Sequence, residues 1–226
     1  MAVTFSNRNY ITVDNTWTNL TVTTICFWVY FNTFNSSINR LIGSDDTWGV
    51  VATNQWGGAW HFANELFSGI VTSPPPALSV TVPVIETWYH VAASVDATKF
   101  GQIWVNGVME ASGTSADTAT GTKLALGNTY GFTGACANGI LDDIKIYSRV
   151  LNNDEVQTIY ACRGSDAIYY GLQNRWLLNE GVSGTQLTGS GTVKDMVSSY
   201  TASPTRTGGP SNPSYADKFL KYYRII

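Results

Sequence analysis

Charged residues are scarce in this chain of 226 residues: 13 Lys and Arg and 16 Asp and Glu make up 13% of it, and the net charge is −3. Proteins that bind nucleic acid neutralise its phosphates with clustered basic residues, and the sequence has no such cluster. We therefore do not expect a nucleic acid partner. No run reaches the roughly 20 apolar residues of a bilayer-spanning helix, so membrane insertion is not expected either.

Cysteine is also rare. The three cysteines, at positions 26, 136 and 162, are odd in number and lack C-x-x-C spacing, which indicates neither a disulfide framework nor a zinc site. The sequence starts Met1-Ala2-Val3-Thr4 and enters a β-rich run without a basic and apolar leader. We expect synthesis and folding in a reducing cytoplasm. One disulfide with a third, free thiol is the alternative.

The sequence contains many segments with the pattern of a β-strand. Its hydrophobic content of 44% suffices for a single core. Residues 87–112 predict three consecutive antiparallel strands. Side chains alternate from Trp88 to Val95, which predicts a strand with one buried face. Asn106-Gly107 tolerates positive φ at both turn positions and predicts a two-residue type I′ hairpin between the second and third strands.

Other segments extend the β pattern. Thr4 to Val13 alternates weakly and predicts an outer or edge strand, whereas Leu20 to Phe31 predicts a central strand buried on both faces. Shorter strands are predicted at residues 40–43, 48–52, 59–62, 68–72, 123–127 and 139–147. Asn152 and Glu155 have the spacing of a capping box and predict one short helix near 152–161, which Gly164 ends.

Three of these segments together resemble a known family. The strand WYHVA from Trp88, the hairpin IWVNG and the run LDDIKIYSRVLNNDEVQTIY at 141–160 are similar to the laminin-G-like branch of the concanavalin A-like lectin and glucanase superfamily. The resemblance covers residues 3–161. It implies an all-β fold, a two-sheet antiparallel β-sandwich of the jelly-roll type. This superfamily includes lectins, hydrolases, adhesion modules and virion proteins, so the fold alone does not fix a function.

The domain organisation departs from that family in one respect. The run RWLLNEGVSG at 175–184 resembles the opening strand and loop of a laminin-G-like domain, yet it comes late in the chain. We interpret it as permuted strand order, in which segment 163–203 completes a single domain of residues 1–203 and Trp176 to Asn179 lies beside Val3 to Phe5. An incomplete second copy is the alternative.

Residues 204–226 form a predicted C-terminal arm. Three prolines and the pair Gly208-Gly209 predict that residues 203–213 run over the surface. The end of the arm is aromatic, apolar and basic, which is typical of an interaction site, although packing as an edge strand of the same sandwich is equally compatible. The candidate assembly contacts are Phe219, Leu220, Tyr222, Tyr223, Ile225 and Ile226.

Aromatic residues are densest between Trp48 and Phe62. Sugar-binding sites combine an aromatic face, which stacks on pyranose C–H groups, with side chains that bond hydroxyls. We expect Trp48 and Trp60 to pack in the core and Trp56, beside Gly57-Gly58, to be exposed. The candidate glycan-binding residues are Trp56, Asn54, Gln55, Trp60 and His61.

Catalytic patterns are not found. Glucanases of this superfamily carry an E-x-D-x-E spacing that this sequence lacks, and Asp142-Asp143 are expected to point to opposite faces of a strand. We expect no enzymatic activity and no cofactor. The resemblance implies calcium as an alternative, because laminin-G-like relatives often bind it. Its weak candidates, for which roles in turns are favoured, are Asp45, Asp46, Asn128 and Asp142.

The function that fits these features is a structural or adhesive virion protein. The chain resembles the laminin-G-like proteins of tailed bacteriophages, which implies synthesis in the host cytoplasm and assembly onto a capsid, as a decoration protein, or onto a fibre. The expected partners are capsid or other virion proteins, further copies in a homo-oligomer, and a cell-surface glycan. A free extracellular lectin is the first alternative, and a glycan hydrolase is the second.

Overall fold

Two antiparallel sheets pack face to face in the computed structural model, which describes residues 2–5, 9–13, 22–34, 38–44, 48–55, 58–66, 77–114, 123–128, 137–180, 186–187, 193–197, 201–206 and 214–216. The predicted all-β sandwich with one short helix is confirmed. The elements, in chain order, are β1 (Ala2–Phe5), β2 (Asn9–Val13), β3 (Thr23–Thr33), β4 (Ile38–Ser44), β5 (Trp48–Thr53), β6 (His61–Leu66), β7 (Ala77–Leu78), β8 (Trp88–Val95), β9 (Phe100–Val105), β10 (Val108–Thr114), β11 (Leu124–Leu126), β12 (Asn138–Tyr147), α1 (Asn153–Cys162), β13 (Leu172–Trp176), β14 (Val193–Lys194), β15 (Thr201–Arg206) and β16 (Ser214–Ala216).

Each sheet has eight strands within the described part of the chain. The first sheet has the order β10-β9-β8-β3-β12-β1-β16, with β13 also paired to β12. The second has the order β14-β15-β2-β11-β4-β5-β6-β7. Between them lies the main core, which includes Phe27, Phe31 and Phe62 and the fully buried Trp176. Burial of large apolar side chains such as these contributes about 1.5–3 kcal/mol each and is the main stabilising force of the sandwich.

The three-strand segment at 87–112 is confirmed as β8, β9 and β10. At its tight turn Asn106 has φ 51° and Gly107 has φ 81°, as a type I′ turn requires. The prediction of one buried face for β8 is wrong, because all eight of its residues are buried. Helix α1 lies against the outer face of the first sheet, where the ring of Tyr160 stacks on Trp28 at 5.7 Å and lies 6.0 Å from the ring of His90.

The prediction of an edge strand from Thr4 to Val13 is wrong, and the prediction of a buried central strand from Leu20 to Phe31 is confirmed. Residues 4–13 form not one edge strand but parts of β1 and β2, which belong to different sheets. Neither is an edge: β1 lies between β12 and β16, and β2 lies between β11 and β15. The later strands β15 and β16 provide these outer neighbours, and no local pattern shows them. Strand β3, by contrast, is central and buried from Thr23 to Phe31.

The short strands and the helix follow their predictions closely. Strands β4, β5, β11 and β12 lie at the predicted places, β6 begins at His61 rather than at residue 59, and the predicted strand at 68–72 lies outside the described residues. In α1 the Asn152 side chain accepts from the Glu155 amide and the Glu155 carboxylate accepts from the Asn152 amide, which confirms the capping box. Within the described residues, no helix has the length and apolarity of a membrane span.

The late segment is an integral part of the first sheet. Trp176 is fully buried, and β13 pairs with residues 144–147 of β12. Strand β1 pairs with residues 139–141 of β12, whereas β3 runs along the whole opposite edge. Strands β13 and β1 therefore lie end to end along one edge and run in the same direction. The predicted side-by-side placement of Trp176 and Val3 to Phe5 is wrong, because β12 is long enough to pair with both strands in succession.

Part of the segment that is predicted to run over the surface, residues 203–206, belongs to β15 and pairs with β2, whereas residues 207–213 lie outside the described residues. Pro204 lies opposite Ile11 in this ladder. Strand β14 pairs only with Thr201 and Ala202, so β15 has no described neighbour on its other side from Ser203 onward. Proline lacks an N–H group and is tolerated on such an open edge, which explains how this residue fits in a strand.

Gly107 offers a test of the hairpin. A Cβ atom at this position would lie 2.9 Å from Cδ1 of Tyr160 in α1, in addition to the strain of φ +81°. We expect the backbone strain in Gly107→Val to lower the free energy of unfolding by about 1–3 kcal/mol, measured by chemical denaturation, and the contact with Tyr160 to add to this loss. Gly58→Val is the matched control, because Gly58 has φ +78° but no described atom within 4 Å of its Cβ position. Equal losses in the two variants would show that contact with α1 adds nothing.

Candidate functional site

The turn between β5 and β6 brings four of the five candidate glycan-binding residues together. Thr53 pairs with His61 across the hairpin, so Asn54 and Gln55 leave one strand where Trp60 and His61 enter the next. Gln55 is exposed, and the other three are half-buried. Trp56, the fifth candidate, lies outside the described residues, as does the side chain of Trp48. The hairpin therefore places amide, imidazole and indole groups around one turn.

Trp60 links this turn to the core. Its ring stacks on Phe34 with centroids 4.0 Å apart and an interplanar angle of 16°, and Phe34 in turn lies 4.8 Å from Phe31. Both Trp60 and Phe34 pack against the main core while staying half-buried. This agrees with the expected packing of Trp60. Its remaining accessible surface is an aromatic rim at the end of the sandwich.

His61 is held in a defined tautomer. Its Nδ1 atom lies 2.7 Å from the backbone carbonyl oxygen of Ser79. A carbonyl only accepts, so Nδ1 carries the hydrogen and, in the neutral ring, Nε2 is an acceptor. The Ser79 hydroxyl is itself fixed, because it accepts from the Phe62 amide at 2.8 Å and donates to the Thr81 carbonyl at 2.9 Å. The imidazole is therefore oriented before any ligand arrives.

The segment that follows Ser79 forms an apolar surface that sequence analysis missed. Exposed fractions are 75% for Val80, 48% for Val82, 52% for Val84 and 48% for Ile85. In the sequence, this surface is indicated by the alternating valines of SVTVPV at 79–84, but the same alternation is typical of a β-strand. Exposed apolar clusters mark interaction sites more often than isolated apolar residues do.

This apolar loop is fixed at three points. The Thr81 amide and hydroxyl both donate to the Glu110 carboxylate of β10, the amide over 2.7 Å. The Val84 amide donates to the Tyr89 hydroxyl at 3.0 Å, and the Glu86 amide donates to the Phe31 carbonyl at 2.8 Å. The loop thus crosses from the second sheet to the first in a defined conformation, with its apolar side chains facing solvent.

The adjacent carboxylates Asp142 and Asp143 do not follow the predicted alternation. A bulge between Asp142 and Lys145 interrupts β12, and Asp143 has φ 46°. The Asp143 carboxylate therefore turns to the same side as Lys145, with Nζ to Oδ2 at 3.2 Å. The prediction that the two carboxylates point to opposite faces of a regular strand is wrong for this reason.

Lys145 is the centre of a buried ionic network. Its Nζ atom also lies 2.5 Å from Oδ2 of Asp166, and Arg175 binds Asp143 through Nε at 3.1 Å. Arg175 further donates through Nη2 to the Gly164 carbonyl. Lys145, Asp143 and Asp166 are at most 5% exposed. The network therefore fastens the segment after α1, together with β13, onto β12.

Cys26 lies close to this network. Burial raises the pKa of its thiol to about 12, so the group stays protonated at neutral pH. Cys26 and Cys162 are both free thiols, whereas Cys136 lies outside the described residues. Cys26 packs with Trp104 and Tyr147 under α1. It acts as a small apolar side chain in this position.

The two calcium candidates that the structure describes, Asn128 and Asp142, are associated with different sheets. Asn128 and Asp142 are both fully buried, but Asn128 follows β11 of the second sheet and Asp142 lies in β12 of the first. The Asp142 carboxylate accepts from the Asp143 amide at 2.9 Å, which is the kind of backbone role expected for it. Asp45 and Asp46 lie outside the described residues, and among those that are described no group of three or more His, Cys, Asp or Glu side chains is placed to hold a metal ion.

Comparison with protein families agrees with this architecture. A laminin-G profile, described as the concanavalin A-like lectin/glucanases superfamily, matches residues 5–157. The chain belongs to this superfamily. The match ends inside α1, so β13 to β16 lie beyond it. A comparison with curated proteins found no match.

Solved structures share the laminin-G-like sandwich at low identity. A Bacteroides ovatus protein named as a candidate carbohydrate-binding protein has a TM-score of 0.67 and 20% identity over 96% of this chain, which spans 60% of that protein. A heptameric SAP-like pentraxin from Limulus polyphemus has a TM-score of 0.60 and 13% identity, over 73% of this chain and 83% of its own. Domain 4 of an extracellular GH43 arabinanase from Geobacillus stearothermophilus, solved with arabinotriose, has a TM-score of 0.51 and 20% identity, over 69% and 74%. At these identities the likeness shows the fold alone.

The buried network predicts a large effect of removing its central cation. Lys145→Met leaves Asp143 and Asp166 buried with less compensating charge, and we expect a loss of about 3–5 kcal/mol in the free energy of unfolding. Lys194→Met is the matched control, because Lys194 is exposed on β14 and its substitution is expected to change stability by at most about 0.5 kcal/mol. Urea denaturation measures both. A Lys145→Met variant as stable as the control would mean that the network contributes no net stability.

Proposed function

We propose that this laminin-G-like sandwich is a non-enzymatic carbohydrate-binding protein that serves as a structural or adhesive component of a bacteriophage virion, as a capsid decoration or in a fibre. The observation that supports glycan binding is the β5–β6 turn, where the Trp60 rim lies next to Asn54, Gln55 and His61. Aromatic surface with oriented polar groups is the combination that recognises pyranose rings.

The turn has the chemistry that a sugar hydroxyl needs. Gln55 offers both a donor and an acceptor from an exposed amide, and the fixed His61 ring offers an acceptor at Nε2. Trp56 is expected to add an exposed indole to this surface. The structural neighbours give independent support, since one is named as a candidate carbohydrate-binding protein and another was solved with arabinotriose.

The proposal of a non-enzymatic role is supported by the engagement of four of the described carboxylates. A glycosidase needs two carboxyl groups separated by roughly 5–10 Å across a cleft. Asp143 and Asp166 are buried and paired with cations, Glu110 accepts from Thr81, and Glu155 is paired with Arg149. Hydrolysis stays an alternative, which the release of reducing ends from a glycan panel would establish.

The virion part of the proposal has its own support. The low charge, the free thiols and the resemblance to laminin-G-like phage proteins favour synthesis in the host cytoplasm and assembly on a particle. We also propose that the strand order is permuted, because β13 and β1 together occupy one edge of β12 as a single longer strand would. A free extracellular lectin is the alternative, and cryo-EM of the protein with candidate phage particles distinguishes the two.

Assembly requires a contact surface, and the proposal offers two. The apolar loop at Val80 to Ile85 is one. The end of the C-terminal arm, from Phe219 to Ile226, is the other; it lies outside the described residues and is proposed from its sequence. Strand β16 pairs with β1 and ends at Ala216, which brings the chain to the edge of the first sheet before the arm continues.

Glycan binding is tested at Trp56. We expect Trp56→Ala to lower binding to bacterial surface glycan on an array without lowering the melting temperature, because a rim aromatic contributes contact area and not core packing. Trp56→Phe is the control that retains an aromatic ring and is expected to retain binding. A large loss of stability in Trp56→Ala would place the indole in the core instead.

Assembly is tested by deleting residues 218–226. This truncation leaves β16 intact, and we expect a sandwich that melts as the full chain does but no longer forms its homo-oligomer or joins its particle. Analytical ultracentrifugation and co-sedimentation with phage particles measure the two losses. A truncated chain that does not fold would assign the arm to the domain core, and normal assembly would place the contact elsewhere.

A further inference from the structure

Two consecutive tyrosines face solvent immediately before β13. Tyr169 is 65% exposed and Tyr170 is 81% exposed, the highest value for any large apolar side chain among the described residues. They precede β13, which belongs to the first sheet, whereas the β5–β6 turn belongs to the second. Exposed apolar side chains are common on protein surfaces, so exposure alone does not indicate a binding site. The argument for a site at Tyr170 comes from the contacts that hold this residue in place.

The ring of Tyr170 rests on a charged group. The guanidinium carbon of Arg149 lies 5.0 Å from the ring centroid, within the range of a cation–π contact. The Arg149 Nε–H group also donates to the Tyr170 carbonyl oxygen at 2.8 Å. Gly171 permits this approach, because a Cβ atom there would lie 3.0 Å from Cγ of Arg149 and the residue has φ +78°. Side chain and backbone of Tyr170 are thus both fixed by one arginine.

Arg149 is itself immobilised. Its two terminal nitrogens form a fork on the Glu155 carboxylate, with Nη1 to Oε2 at 2.8 Å and Nη2 to Oε1 at 2.6 Å. These hydrogen bonds lower the pKa of Glu155, so the carboxylate is ionised at neutral pH. Glu155 also accepts from the Asn152 amide at 3.0 Å as part of the capping box. The start of α1 therefore holds Arg149, and Arg149 holds Tyr170.

Polar side chains are bonded to the residue that follows Tyr170 or lie near it in the chain. The exposed Gln173 donates through Nε2 to the Ser148 hydroxyl at 3.2 Å. Ser148 is bonded to Gly171, which follows Tyr170, through its amide at 2.8 Å and its hydroxyl at 3.4 Å. A hydroxyl and, through it, an amide are thus bonded to the segment that carries the exposed ring. A binding site that is rigid before the ligand arrives loses little conformational entropy when it binds.

We propose that Tyr170, with Arg149, Gln173 and Ser148, forms a second carbohydrate-binding site that takes a neutral pyranose. This inference rests on the proposed glycan-binding function and adds a site to it. The open face of Tyr170 stacks on sugar C–H groups, and Gln173 and Ser148 bond hydroxyls. The sugar is neutral because the charge of Arg149 is balanced by Glu155, so the surface carries no net positive charge for an acidic sugar.

The experiment compares Tyr170→Ala with Tyr170→Phe in the full chain. An array of immobilised neutral oligosaccharides identifies a ligand. Calorimetric titration with that soluble oligosaccharide counts the sites. We expect two sites in the unchanged protein and in Tyr170→Phe, which retains the ring, and one site in Tyr170→Ala. Its melting temperature should stay unchanged, because the ring is 81% exposed.

The outcomes separate this site from the proposed function. If Tyr170→Ala retains two sites in calorimetry, the second site does not exist and Tyr170 only covers Arg149. Loss of binding in Trp56→Ala at the same time would leave the proposed function intact. If the unchanged protein binds no oligosaccharide on the array or in calorimetry, the proposed function fails and the second site fails with it.

Discussion

Strand β12 is buried from Gly139 to Tyr147, and the rest of the sandwich is arranged around that constraint. One of its edges pairs with β3, and the other pairs with β1 and β13 in succession. Its inner face supplies Leu141, Ile144 and Ile146 to the main core. Its outer face is closed by α1 and the segment that follows it, where Tyr147 donates to the Ile168 carbonyl at 3.1 Å. A charged residue in such a strand has to find its partners inside the protein.

The network around Lys145 meets that requirement. Moving an ion out of water costs several kcal/mol, and only well-placed counterions compensate for it. Asp166 and Arg175 lie after α1, and both contact residues of β12 or its bulge. The same interactions that balance the charge therefore also position the C-terminal third. This coupling explains why β13 is an integral part of the first sheet, although the family profile ends at residue 157.

The location of the binding surfaces follows from this closed architecture. With the outer face of the first sheet covered at Trp28 and His90, ligands have access to turns and loops instead of to that sheet surface. The β5–β6 turn and the turn before β13 are both short and held by neighbouring strands or by α1. Loops on a rigid scaffold commonly carry binding functions, because they can vary without disturbing the core.

Sequence predicted the features that depend on neighbouring residues. The Asn106-Gly107 turn and the Asn152 capping box each need only two to four consecutive positions, and both are present. The β1–β2 division and the Pro204 strand depend on partners far away in the chain, so local patterns predict neither of them. The bulge at Asp143 was missed for the same reason, since its ion pairs join residues that no local period relates. Among the candidate glycan-binding residues, Asn54, Gln55, Trp60 and His61 are close in sequence, and their clustering could therefore be predicted. The contact of Arg149 with Tyr170 joins residues 21 positions apart and could not be predicted in this way.

The composite edge of β12 has a consequence for how the protein is made. When β12 leaves the ribosome, β1 is already available for half of that edge, but the residues that pair with the other half are still to be translated. At about 5–20 residues per second, this delay lasts a few seconds. During it, the nascent chain carries an unpaired strand edge beside apolar residues, which is a template for contact with other nascent chains. Vectorial synthesis thus leaves the edge of β12 fully paired only after Trp176 has emerged.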